Sequence, residues 1–301
     1  MKQLVILSGK GGTGKTSVAA ALAHLAAAET PIVLADADVD AANLELVLDP
    51  VRQETHPFTG GKVAVIAPGV CTRCGICADV CRFDAIAPNS AAYRVNPTAC
   101  EGCAACAYAC PAGAIQMQEQ QAGEWYRSAT RFGALFHAHL FAGQENSGKL
   151  VTLVKQQARL WGQDTGAALL LVDGPPGIGC PVISACSGMD LALLVVEPTI
   201  SGAHDLERVL ATADHFGVPS LVAINKADLN PERANEIAAT CAARGIEIAG
   251  RIPYNDIVTE AMVHGRPVTE YRNGPVTAAL RSLWQEIRRR LLDGTTGGHD
   301  A

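Results

Sequence analysis

An apolar run at residues 3–8 passes without a spacer into Gly9-Lys10-Gly11-Gly12-Thr13-Gly14-Lys15-Thr16, and that segment opens an alanine-rich stretch at 15–28. Such a junction constrains the chain more than any other feature of it. A buried strand must turn sharply through glycines into a helix, and the next apolar run, 31–35, then lies parallel to the first. The octapeptide fits G-x-x-x-x-G-K-[ST] in the context that motif requires, after a strand and before a helix. Its glycines let backbone N–H groups wrap phosphates at a helix N-terminus. Lys15 is expected to reach the β and γ oxygens, and the Thr16 hydroxyl, followed by Ser17, to meet Mg²⁺.

Further short apolar runs at 169–172, 191–196 and 221–224 alternate with helical patterns such as 204–215. This alternation predicts an α/β fold, a mostly parallel sheet flanked by helices, with ligands gathered at the carboxyl ends of the strands. A chain of 301 residues, about half apolar, can bury one such core and has room for a small extra module. The formal charge of -6 argues against a nucleic-acid binder, which needs a surplus of Lys and Arg. No export signal precedes the first strand, and the longest apolar runs fall short of the roughly 20 residues of a membrane span. A cytoplasmic protein without stable membrane insertion is expected.

Between about 60 and 130 the alternation breaks and cysteine, glycine and proline take over, which reads as an insertion into a domain made of 1–59 and 131–301. The insertion is internally duplicated. Cys71, Cys74, Cys77, Cys81 and Ile86 recur as Cys100, Cys103, Cys106, Cys110 and Ile115, each 29 residues later. In a reducing compartment, eleven clustered cysteines point to metal ligands rather than disulfides. The C-x2-C-x2-C-x3-C spacing resembles that of bacterial two-cluster ferredoxins, in which the fourth cysteine of each run crosses to the other cluster. The resemblance implies an α+β ferredoxin-like domain with two [4Fe–4S] clusters: Cys71, Cys74, Cys77 and Cys110 on one, Cys81, Cys100, Cys103 and Cys106 on the other. Zinc, the alternative, prefers paired C-x2-C knuckles joined by longer spacers. The first run departs from the pattern, with Arg82 where the second has Pro111. A cation there is expected to raise the potential of the adjacent cluster.

Lys10, a second lysine early in the glycine loop, makes the segment resemble the deviant Walker A of the MinD/ParA superfamily, whose members hydrolyse ATP. With the cysteine array, the chain resembles the members of that superfamily that contain an inserted ferredoxin domain. The resemblance implies an ATP-sandwich homodimer in which Lys10 reaches the partner's nucleotide; a solvated loop lysine is the plain alternative. It also implies a first switch at Asp36-Ala37-Asp38-Val39-Asp40, with Asp38 orienting the attacking water. Asp173, at the end of an apolar strand, would hold Mg²⁺ with Thr16 and Asp38, directly or through water, and Gly177 in the loop after it would offer its amide to the γ-phosphate.

Asn225-Lys226-Ala227-Asp228 also matches the base-reading motif of GTPases, so GTP stays open beside ATP. In the MinD class the asparagine reads adenine with the help of the segment after the next strand, here Pro253 and Tyr254. Three thiols fall outside the array: Cys180 and Cys186 flank 181–183 just after the second switch, and Cys241 sits in a helical stretch. Buried free thiols are common, though Cys180 is also placed to bind or pass a metal. Ser147 is a candidate N-cap, and residues 295–301 are expected to lack structure. Near the end Leu280, Leu283, Trp284, Ile287 and Leu291 form an apolar face among arginines, expected to pack on the sheet rather than on a membrane.

Two functions follow. In the first, the nucleotide state of a homodimer gates electron or cluster transfer to a partner metalloprotein in cofactor assembly. In the alternative, the chain is a MinD-like positioning ATPase whose clusters sense redox state or serve structure.

Overall fold

Strands and helices alternate from the first residues onward. A computed structural model describes residues 1–144 and 147–294 of the chain. β1 (Lys2–Ser8) leads through the glycine loop into α1 (Lys15–Ala27), and β2 (Ile32–Asp36) into the short α2 (Leu44–Leu48). A long strand, β3 (Val51–Ile66), is followed by α3 (Ile76–Asp79), β4 (Ile86–Pro88), β5 (Tyr93–Val95) and α4 (Ala105–Ala109). Two more strands, β6 (Ile115–Thr130) and β7 (Gly133–Leu140), precede α5 (Ser147–Thr165) and β8 (Leu169–Pro176). Then come α6 (Cys180–Cys186), β9 (Leu191–Val196), α7 (Ile200–His215), β10 (Ser220–Asn225), α8 (Pro231–Ala243) and β11 (Glu247–Ile252). Three helices close the fold: α9 (Ile257–Val263), α10 (Val268–Tyr271) and α11 (Pro275–Leu291).

The chain divides into two compact units, one of residues 1–55, 125–138 and 147 onward, the other of 56–124 and 139–146. The insertion drawn at 60–130 differs from this second unit at both ends. The reason is that β3 and β6 each run as one strand through the boundary, and composition does not mark a change of unit inside a strand.

The first unit is built on a sheet of order β11-β10-β9-β1-β8-β2-β7-β6-β3. The pairs β1/β8, β1/β9, β2/β8, β2/β7, β9/β10 and β10/β11 are all parallel. Alternation along β1 sends Leu4 and Ile6 to one face, where they share a core with the alanines of α1 and with Leu280, Leu283, Trp284 and Ile287 of α11. Val5 and Leu7 point the other way, as do Leu170 and Val172, and are fully buried on the face covered by α5 to α8. With both faces covered, the central strands carry no polar alternation. The apolar stripe of α11 is accordingly buried, while Arg288 pairs with Glu29 at 3.4 Å and Arg290 with Glu247. No helix among the described residues is long and apolar enough to cross a membrane. Ser147 belongs to α5 as described; the positions before it and the tail at 295–301 lie outside the described residues.

In the second unit the 29-residue repeat is also a repeat of conformation. Arg73 and Gly102, Gly75 and Ala104, and Asp84 and Gly113 take left-handed φ values of 60° and 66°, 85° and 62°, and 49° and 60°. At each pair one copy manages without glycine, so the surrounding fold rather than the residue holds the turn. Two crossed backbone hydrogen bonds express the same pseudo-twofold symmetry: Ala67 N–H to Ala114 O at 2.8 Å and Asn96 N–H to Ala85 O at 2.7 Å. Ala64, Ile66, Ile86 and Ile115 form a small core with Cys77 and Cys106.

One polar contact in the first unit's core carries a pH signature. His137 of β7 is buried, with Nε2 2.8 Å from Ser128 Oγ of β6 and Nδ1 3.2 Å from Glu45 Oε2 of α2. Burial, reinforced by the charge of Arg52, pushes its imidazole down to about 4. The unfolded chain takes up a proton below the ordinary value of about 6.5 and the folded chain does not. The stability is therefore complete above that pH and is lost as pH falls toward 4. The ceiling is about 3 kcal/mol, because the nearby Glu45 carboxylate favours the imidazolium. Thermal melts at about pH 7.5 and about pH 5 should differ more for the native chain than for His137→Gln; equal differences would contradict this assignment.

Candidate functional site

At the carboxyl ends of β1, β2 and β8 the sheet concentrates charge. Asp36 and Asp173 are in-register partners on adjacent parallel strands, both buried, with Lys15 inserted between the strand ends from α1. Lys15 Nζ donates to Asp173 Oδ1 at 2.6 Å. Burial works against the ammonium, but Asp173, with Asp36 and Asp38 behind it, overcomes that and holds its pKa above the ordinary lysine value. The balance leaves the carboxylates under-neutralised. Burial, together with the charge of Asp173 and against that of Lys15, raises Asp36 to about 8, although its oxygens accept from the N–H groups of Asp38 at 3.1 Å and Leu44 at 3.0 Å. Burial also raises Asp38. Asp173 Oδ2 is buried without a hydrogen-bond partner among the described residues. An orphaned acceptor in a negative, buried cluster suits a divalent cation.

The glycine loop lines a cleft of about 680 Å³ with Gly11, Gly12, Thr13, Gly14, Lys15, Thr16 and Ser17. Asp38, Asn225, Lys226, Pro253 and Tyr254 line it as well, so most of the expected nucleotide residues share one cavity of ligand size. Its far end is apolar, with Val258 and Met262 of α9. Gly14 is left-handed at φ 85° and caps α1. Gly9 is required by packing: a Cβ there would sit 2.3 Å from Asp205 Cβ and 2.9 Å from the Asp205 backbone in α7.

Several of these residues have partners within the chain. Gly177 lies outside the cleft lining, and its amide donates to the Ser8 carbonyl at 2.9 Å, because β8 continues to Pro176 and carries the ladder with β1 past Asp173. Lys10 turns back on its own chain, 3.6 Å from Glu197 Oε2 and within hydrogen-bond reach of Ser201 Oγ and Thr199 Oγ1 at 3.2 and 3.4 Å. Asn225 gives its amide to the Thr13 carbonyl at 2.7 Å, and Lys226 reaches Gly12 O at 3.4 Å, so this pair braces the phosphate loop from below. Asp228 accepts the Tyr254 N–H at 2.7 Å and fixes the loop that Pro253 opens.

Glu197 was not singled out by sequence. It directly follows β9 and holds both Lys10 and Lys226, the latter at 2.5 Å. A lone carboxylate following an apolar parallel strand was the available signal, since ligands gather at that end of the sheet.

In the second unit the cysteines fall into two groups. Cys71, Cys74, Cys77 and Cys110 line one cavity with Ile66 and Tyr93. Cys81, Cys100, Cys103 and Cys106 line another with Phe83 and Met117. Each cavity thus takes three thiols from one half-repeat and the fourth from the other. Ala114 N–H donates to Cys110 Sγ at 3.3 Å. No group of three or more His, Cys, Asp or Glu among the described residues is drawn together for a single metal ion. Thiols around a four-iron cube stand farther apart than those around one ion, so the four-cysteine cavities and the lack of a one-ion site are compatible. Of the thiols outside the array, Cys180 is exposed at the start of α6, while burial pushes Cys186 and Cys241 up.

A model of the CobQ/CobB/MinD/ParA nucleotide-binding domain matches residues 4–268. The chain belongs to this family. An uncharacterized protein of Methanocaldococcus jannaschii is 38% identical over 228 residues, 76% of this chain and 79% of its own. An uncharacterized ATP-binding protein of the same organism is 26% identical over 291 residues, 96% of this chain and 87% of its own. Among solved structures, the septum site-determining protein MinD of Pyrococcus horikoshii OT3, complexed with Mg-ADP, superposes with a TM-score of 0.59 at 20% identity, covering 95% of each chain. A McdA–ATP complex of Cyanothece gives 0.58 at 19% identity, covering 96% of this chain and 95% of that one. The nine-stranded, mostly parallel sheet is therefore the P-loop fold of the CobQ/CobB/MinD/ParA proteins.

The packing around the glycine loop makes a specific demand. Gly9→Ala should lower the melting temperature of the nucleotide-free protein by several degrees and weaken nucleotide binding, because the obstructing atoms are the Cβ and backbone of Asp205 in a helix and cannot step aside. Gly11→Ala, whose Cβ would meet nothing within 4 Å, should leave the melting temperature unchanged. Matching losses in the two variants would refute the packing argument.

Proposed function

We propose that the chain is an ATP-hydrolysing switch working in the cytoplasm, a homodimer whose nucleotide state gates electron or cluster transfer from two [4Fe–4S] clusters to a partner metalloprotein, in metallocofactor assembly. The observation that carries the reading is the crossed grouping of eight cysteines into two four-thiol cavities on a chain that also has the phosphate loop of this family. An all-thiolate donor set with an N–H directed at one sulfur suits iron–sulfur ligation, and thiols of this kind persist in a reducing compartment. Bound clusters would supply one-electron chemistry, and Mg²⁺ would neutralise charge on the phosphates.

The protein's own groups do the rest. Lys15 would exchange Asp173 for phosphate oxygens, and Thr16, Asp38 and Asp173 would hold Mg²⁺, directly or through water. Asp38, in the cleft wall, orients the attacking water. Gly177 reaches the γ-phosphate only by giving up Ser8, so its amide distinguishes ATP from ADP. Lys10 leaves Glu197 to reach the second copy. Asn225 and Lys226 support the loop, and Pro253 and Tyr254 flank the base. Asp228 Oδ1 holds the Tyr254 N–H, and ATP is favoured over GTP because Lys10 and the first-switch sequence at Asp36 to Asp40 go with the MinD/ParA class.

Anaerobically purified protein should carry roughly eight irons per chain, and Cys103→Ala roughly four. Iron near four in the native chain would retire the two-cluster reading. Lys15→Ala should abolish nucleotide binding measured by calorimetry, whereas Lys10→Ala should bind ATP and turn it over slowly; normal turnover by Lys10→Ala would remove the cross-dimer role. Liposome flotation that depends on ATP would favour the positioning function instead, against the buried stripe of α11.

A further inference from the structure

The helix that directly follows the first switch, α2, is held at three points, two of them by hairpin β6–β7. At its N-terminal end, Leu44 N–H bonds Asp36 Oδ2 at 3.0 Å, which ties the helix to the carboxylate cluster under the phosphate loop. In its first turn, Glu45 meets His137, and His137 meets Ser128. At its C-terminal end, Arg131, in the two-residue connection between β6 and β7, donates to Leu48 O at 2.7 Å and Val47 O at 3.4 Å, and also pairs with Glu270 of α10 at 2.8 Å.

His137 presents Nδ1 to Glu45 Oε2 and Nε2 to Ser128 Oγ, and the tautomer with the proton on Nδ1 lets it donate to Glu45 while the serine hydroxyl donates to Nε2. This row is buried at His137 and Ser128. A five-residue helix has too little intrinsic stability to hold its own position. Its position is set by Asp36 on one side and the hairpin on the other.

We infer that Glu45, His137 and Arg131 are positioning residues that couple the nucleotide site to hairpin β6–β7: a change at Asp36 to Asn43 displaces α2, and the hairpin follows through these contacts. Ser128 and His137 have the atom order of a Ser-His-carboxylate triad, but the serine is only 1% exposed and lines none of the cavities described here, so it positions and does not attack. β6 and β7 are also strands by which the chain leaves and re-enters the second unit, so the hairpin is where a nucleotide signal would pass along the backbone. The inference rests on the proposed nucleotide switch and assigns its readout to particular residues.

Hydrogen–deuterium exchange on the full chain, with and without Mg²⁺ and a non-hydrolysable ATP analogue, tests it. In the native protein the analogue should slow exchange in the glycine loop and across residues 125–138. In Glu45→Ala the loop should still be slowed and the hairpin no longer respond, while Glu45→Gln, which keeps an acceptor, should restore the response. Arg131→Met serves the same test from the other end of α2. A slowed loop with an indifferent hairpin in the native chain, or a hairpin that still responds in both Glu45→Ala and Arg131→Met, would overturn the coupling alone. No slowing of the loop itself would overturn the nucleotide reading and the coupling with it.

Discussion

The buried ion pair of Lys15 and Asp173 is the interaction around which the first unit is arranged. Two carboxylates on neighbouring strands with one ammonium between them form an electrically incomplete set, and Asp36 carries the strain as a raised pKa. A buried pair is weak evidence for stability, since desolvation offsets most of its attraction, whereas one partner left alone is strongly destabilising. A cluster of this kind makes more sense as a receptor for added charge. Phosphates can take the ammonium and a metal can take the carboxylates, each satisfying what the other displaces. The parallel sheet exists at this point to bring Asp36 and Asp173 into register and to hold them under the loop.

The second unit solves a different problem with its duplicated sequence. Short helices and a two-stranded sheet bury little apolar surface, and its core is a handful of alanines and isoleucines interleaved with thiols. Crossed hydrogen bonds between the halves, and cysteines that cross with them, make each half incomplete without the other. That mutual dependence explains why left-handed turns persist in both copies even where Arg73, Ala104 or Asp84 replaces glycine.

Much of this was readable from residues. The apolar runs that became β1, β2, β8, β9 and β10, and the helix after the glycine loop, were legible because burial on both faces leaves an unbroken apolar signature. The stripe of α11 was legible by its helical period. By contrast, β6 and the last part of β3 fell within the apparent insertion: they lie toward one edge of the sheet, carry Glu, Gln, Arg and Thr, and owe their conformation to pairing rather than to composition. At the site, the identity of the loop and cleft residues was visible, but their present partners were not. Nothing local says that Gly177 bonds Ser8, that Asn225 supports Thr13, or that Glu197 joins two lysines, because all of these contacts are made between different strand ends and loops, and all but that of Glu197 with Lys226 join segments far apart in the chain.

Glu197 now stands as a shared counter-ion, one anion divided between two cations that lie more than two hundred residues apart in the primary structure. Sharing of this type makes the two ammonium groups rivals: whichever departs leaves the other with an undivided partner at short range. Were Lys10 drawn toward a second subunit, Lys226 would be held more firmly, and with it the floor of the phosphate loop at Gly12. Association and a tighter grip on the nucleotide would then reinforce each other through a single side chain, without any strand or helix having to move.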